Sequence, residues 1–171
     1  MNSADLAQVH SIGYDLEEVK VTFNHDVKLA VSGVDIEGKQ GEIINVPRWI
    51  AKVLESEKHV EVQESDMVNE LKQAHVKENA VGEANLSTLE PHFYVKVNAY
   101  LEKLPREDYE RVHPLLRDLF RKRRSKIVQL ADSLKLNAEL SQKLTVEERS
   151  LYEKIYMDSH EAEKQILGDK Q

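Results

Sequence analysis

Positive charge is concentrated between Arg117 and Lys126, where Arg117, Arg121, Lys122, Arg123, Arg124 and Lys126 are interrupted only by Asp118. A run of this kind could neutralise phosphate. If the segment is helical, successive side chains turn by about 100°. Arg123 then falls in the middle of the arc made by Leu116, Leu119, Ile127 and Leu130, while Arg117, Arg121 and Arg124 point to the opposite side. An inward arginine needs a carboxylate or several carbonyls, because an unpaired buried charge is costly. The spacing therefore predicts a structural ion pair for Arg123, inside a bundle or across a subunit interface. The outward trio reads as a solvated or protein-contacting basic face ahead of a DNA contact, since no aromatic residues interleave with it and the chain is acidic overall.

Other candidate chemistry is weaker. Gly33-Val34-Asp35-Ile36-Glu37-Gly38-Lys39-Gln40 comes within one residue of a phosphate loop, but Gln40 stands where a magnesium-binding hydroxyl belongs and a strand pattern follows where a helix is needed. It reads as a glycine-punctuated turn. The histidines His10, His25, His59, His75, His92, His113 and His160 include no pair at the helical spacing of a zinc protease, and they read as surface residues with no metal site. Cysteine is absent, which removes disulfides, thiolate nucleophiles and zinc ribbons. No nucleophile elbow is present, and Glu17-Glu18 and Glu147-Glu148 read as solvated or helix-start charges. No catalytic residue and no cofactor site is expected.

The elements that would carry these residues follow from composition and periodicity. The 171 residues hold 24 Lys and Arg against 31 Asp and Glu, a net charge of −7, with 40% hydrophobic and 32% charged residues. That balance suits long helices with charged outer faces. Met1 to Gly13 is too polar for a signal peptide, and nowhere do about 18 apolar residues run together, so a soluble cytoplasmic protein without membrane association is expected. Turn chemistry is concentrated before residue 42. Val19–Phe23 and Val27–Val31 alternate with the period of strands, with Asn24-His25-Asp26 as the turn between them. Turns at Ser32-Gly33 and from Glu37 to Gly41, a strand at Glu42–Val46 and a short helix from Pro47 follow, the helix placing Trp49, Ile50, Val53 and Leu54 on one face. His59–Val62 reads as a last strand.

From residue 64 the pattern is helical. Ser65 can cap a helix with Met67, Leu71, Ala74 and Val81 inward; Leu89, Phe93, Val97, Tyr100, Leu101 and Leu104 form a second stripe ended by Pro105. Asp108 to about Leu136 forms the longest helix, with Val112, Leu116, Leu119, Ile127, Leu130 and Leu134 in phase. Thr145-Val146-Glu147-Glu148 caps a last helix carrying Leu151, Tyr152, Ile155, Ala162 and Ile166. The expected fold is α+β, mostly α: a β-rich module with one helix over 1–63, a hinge at Glu64 to Asp66, and a helical bundle over 64–171. Trp49, Phe93, Tyr94, Tyr100, Tyr109, Phe120, Tyr152 and Tyr156 exceed what one bundle stripe requires. This excess points to a partner surface with aromatic anchors.

Four stretches resemble the archaeal GINS subunits of the DNA replication machinery. Ile44-Asn45-Val46-Pro47-Arg48-Trp49-Ile50-Ala51-Lys52-Val53-Leu54 is similar to the family's small β domain; Pro91-His92-Phe93-Tyr94 and the segment from Leu116 to Ala131 are similar to its helical domain, with Leu144–Tyr152 resembling the closing helix. With the β module first, the chain resembles the class related to the second and third eukaryotic-type subunits. The resemblance implies a non-catalytic architectural subunit, partnered by a subunit of reversed domain order in a two-plus-two heterotetramer that binds the MCM helicase and a RecJ/Cdc45-like protein at the fork. It implies bundle packing or an interface for Phe93, Tyr94, Tyr100, Phe120, Arg123, Tyr152 and Tyr156, and a place in the β-module core for Trp49. Direct DNA contact would be weak or absent. The alternative is a nucleic-acid-binding helical module using Arg117, Arg121 and Arg124.

Overall fold

The computed structural model describes residues 3–31, 33–63 and 66–168. The expected Ser32 turn, the Ser65 cap and the hinge residues Glu64 and Ser65 lie outside these. The fold is α+β and mostly α, in two compact units, Met1–Asp66 and Met67–Gln171.

In the first unit, β1 (Glu18–Phe23) is the central strand of an antiparallel sheet ordered β4-β1-β5, with β4 at Ile43–Pro47 and β5 at Val60–Val62. Val21 stands opposite Ile44 on one side and Val62 on the other. Val19, Val21 and Phe23 alternate inward against α2 (Arg48–Ser56), whose Ile50, Ala51 and Leu54 complete the core. β2 (Val27–Val31) does not pair with β1 across the Asn24-His25-Asp26 turn. It pairs instead with β3 (Val34–Gly38), a strand where the glycine pattern suggests turns. Gly38 is required there, because a Cβ would lie 2.0 Å from Cε2 of Phe23. The near-phosphate loop is thus a strand lying under an aromatic ring.

Three further differences concern helices. α1 (Ser3–Leu16) occupies the N-terminal stretch, where Val9, Ile12 and Leu16 keep a helical 3–4 spacing but stay exposed; it is held by buried Tyr14, over whose ring the Arg48 guanidinium sits at 4.2 Å, and by a 2.6 Å Lys52–Asp15 bond. Trp49 is half-buried at the margin of the core and not within it, and Val53 is exposed, because α2 turns its Ile50–Ala51–Leu54 side to the sheet.

The second unit contains α3 (Met67–Ala80), α4 (Phe93–Leu101), α5 (Arg106–Ser133), a short α6 (Ala138–Lys143) and α7 (Val146–Leu167). Its apolar core forms two clusters. Met67, Leu71, Ala74, Phe93, Val97 and Leu101 pack on Val112, Leu116 and Leu119 of α5; farther along α5, Ile127 and Ala131 pack with Leu86, Leu144 and Tyr152. Leu134, Ala162 and Ile166, expected inward, are exposed. Ala131 takes the inward place as α5 ends, and α7 keeps no buried residue beyond Tyr152.

Candidate functional site

Between the two clusters of the helical unit lies a polar layer built around Arg123. Leu119 and Ile127, one helical turn before and after it, belong to different clusters, and the arginine side chain itself is fully buried. Its guanidinium forms a fork on Glu148: Nε donates to Oε1 at 2.7 Å and Nη2 to Oε2 at 2.8 Å. Nη1 donates to Glu78 Oε2 at 2.7 Å and to the Ser87 carbonyl at 2.8 Å, and Nη2 also reaches the Lys143 carbonyl at 3.0 Å. All its N–H groups are thereby satisfied.

The carboxylates are held just as completely. Glu148 is the third helical residue of α7 and closes a capping box with Thr145: its carboxylate accepts from the Thr145 N–H, and its own N–H donates to the Thr145 hydroxyl. It accepts in addition from the Tyr94 hydroxyl at 2.8 Å. Glu78, buried on α3, accepts from the Ser87 N–H and hydroxyl and, at 2.7 Å, from Lys126 Nζ. Two carboxylates thus face one guanidinium and one ammonium, so the layer is formally neutral. Burial pushes the Glu78 carboxyl up, but Lys126, the Ser87 hydroxyl and Arg123 outweigh this and hold it below the usual range. Burial and then the Glu148 charge push the Tyr94 phenol up, keeping it a donor; Arg123 remains charged, its Glu148 partner prevailing over burial.

Sequence reasoning expected Glu147-Glu148 to be solvated, yet Glu148 is sealed in the interior. Glu78 and Ser87 were missed. A signal for Glu78 existed: it continues the inward 3–4 spacing of Leu71 and Ala74, a carboxylate where an apolar residue was due. His75, expected on the surface, is mostly buried, its Nε2 2.5 Å from the Leu115 carbonyl.

The remaining candidates fall into three places. Phe93, Tyr94 and Tyr152 are buried and Tyr100 and Tyr156 half-buried, so the bundle itself absorbs most of the aromatic excess. Tyr152 donates to the carbonyls of Leu130 and Leu134, at 3.1 and 2.7 Å, closing the end of α5. Phe120 and Tyr109 are the exceptions, 37% and 39% exposed: Tyr109 stacks on His113 at 5.0 Å, whereas Phe120 meets the Tyr94 ring edge-on at 6.0 Å and carries the Arg124 guanidinium over it at 5.9 Å. Arg117, Arg121 and Arg124 are exposed, whereas Lys122 is paired with Asp118 and Lys126 with Glu78. The basic run is therefore divided, with part of it consumed internally.

The family model of the GINS complex protein helical bundle domain, Sld5, matches residues 48–167. The chain belongs to the GINS family. The match begins at α2 and runs through the last helix, so it includes every residue of the Arg123 layer and the Phe120 surface. No curated protein matches the chain. As a GINS family member it is a subunit of a replication complex, and among its described residues no helix is long and apolar enough to cross a membrane.

Proposed function

We propose that this chain is a non-catalytic architectural GINS subunit of archaeal type, of the class with the small β domain first. Met1–Asp66 serves as that domain and Met67–Gln171 as the helical domain. It assembles with a subunit of reversed order into a two-plus-two heterotetramer, which supports the MCM helicase and a RecJ/Cdc45-like protein at the fork, in the cytoplasm at the nucleoid. No cofactor enters this role.

The observation that supports an assembling surface is Phe120. An exposed aromatic ring, flanked by Arg124 and met from behind by Tyr94, whose hydroxyl is held by Glu148, has the composition of an interface anchor on a rigid support. Because Phe120 makes no hydrogen bond that folding requires, Phe120→Ala is expected to retain the helical circular-dichroism spectrum and to weaken partner-subunit affinity by about tenfold or more. Unchanged affinity would remove this face from the interface. Arg123 and Lys126 are committed to carboxylates, which leaves the nucleic-acid reading only the outward trio.

A further inference from the structure

His25 and His59 stand at no metal-ligand spacing in the sequence, but the β1–β5 pairing, with Phe23 opposite Val60, brings them together. Their backbones are pinned. The Asn24 N–H donates to the His59 carbonyl at 2.9 Å, Asn24 Nδ2 to the Lys58 carbonyl at 3.0 Å, and the His59 N–H to the Leu54 carbonyl at 2.9 Å. Lys58, at φ 61°, makes the left-handed turn that carries the chain out of α2 toward β5. On this frame His25 Nε2 and His59 Nδ1 lie 3.0 Å apart, with ring planes at 65°. His25 is exposed and His59 half-buried, so the pair is open to ions from solution.

We propose that His25 and His59 form a two-histidine site for a divalent transition-metal ion, Ni(II) or Cu(II) in preference to Zn(II), with water in the remaining positions. With metal–nitrogen bonds of about 2.05 Å, the 3.0 Å separation gives a nitrogen–metal–nitrogen angle of about 94°. That is near the right angle of tetragonal or octahedral coordination and short of the tetrahedral angle zinc adopts in protein sites. Binding requires both facing nitrogens to be unprotonated, with the ring protons on His25 Nδ1 and His59 Nε2, so the proton the pair now shares moves to the far side of one ring. The neighbours Asp26 and Lys58 are of opposite charge, and the carbonyl end of α2 beside His59 favours a cation. Among the described residues no third His, Asp or Glu converges on the pair. The affinity is therefore that of a two-ligand site.

Calorimetric titration of the full, tag-free chain with NiCl2 and separately with ZnCl2, at neutral pH, tests this. The expected result is one saturable equivalent of Ni(II), with Zn(II) weaker; His25→Ala and His59→Ala each lower the Ni(II) affinity by about tenfold or more, and His113→Ala leaves it unchanged. Paramagnetic broadening by Ni(II) of the His25 and His59 imidazole resonances in the unaltered chain gives the same answer without a variant. Absence of saturable binding below millimolar Ni(II), broadening at other histidines instead, or wild-type affinity in His25→Ala and His59→Ala would overturn the site. A preference for Zn(II) would overturn its coordination geometry.

Discussion

Arg123 occupies a place between Leu119 and Ile127 that an apolar side chain would fill in a simpler bundle, and every hydrogen it can donate has an acceptor. Removing it leaves Glu78 and Glu148 buried with reduced compensation. Arg123→Ala is expected to destabilise the helical unit by about 3–5 kcal/mol, read from urea unfolding. Arg123→Lys should recover little of this, because an ammonium cannot reproduce the fork on Glu148. The layer also sets an acid limit. Glu78 holds its proton less tightly folded than unfolded, so its contribution is complete above the unfolded value of about 4.5 and is lost as pH falls through the lower folded value. The urea midpoint should drop between pH 6 and pH 3 in the natural chain, and by less in Glu78→Gln. The inward position of Arg123 was legible from the 3.6-residue arc alone. Its partners were not, because Glu78 lies on another helix and Glu148 beyond a further short one, and helical phase within one element says nothing of which elements meet.

Elements with a strong period were readable and those without one were not. The long helix was expected from Asp108 and runs Arg106–Ser133, and the capped start at Thr145 is present as a capping box. α1 and β3 escaped detection, the first although Val9, Ile12 and Leu16 keep a helical spacing among polar neighbours, the second because glycines at both ends resemble turn punctuation. Both caps and glycines make testable statements. Thr145→Ala, which removes the hydroxyl that accepts from the Glu148 N–H, is expected to cost about 1 kcal/mol or more, since the same Glu148 also carries Arg123. Gly38→Ala is expected to lower the thermal midpoint of the small unit, because a methyl group there overlaps the ring of buried Phe23. Retention of the natural midpoint would show that the ring can move aside.

For the whole molecule, the charge of −7, the burial of Arg123 and Lys126 against carboxylates and the surface pairing of Lys122 with Asp118 leave little to attract a polyanion. Fluorescence anisotropy with duplex DNA at physiological salt is expected to show no saturable binding by the free chain; a steeply salt-dependent affinity abolished by reversing Arg117, Arg121 and Arg124 would favour the nucleic-acid reading. The change from period two to period 3.6 near residue 62 is what suggests a β domain over 1–63 and a helical domain over 64–171. The aromatic excess was a less direct guide, since Phe93, Tyr94 and Tyr152 proved to be filled positions of the chain's own core. Of the aromatic excess, only Phe120 and Tyr109 stay exposed among the described residues. The most direct test of an assembling role is the light-scattering mass of the 19.7 kDa chain, alone and mixed with a GINS subunit of reversed domain order from the same source. An assembly containing two copies of each is the expected result, and a mixture in which the two chains keep their separate masses would contradict it.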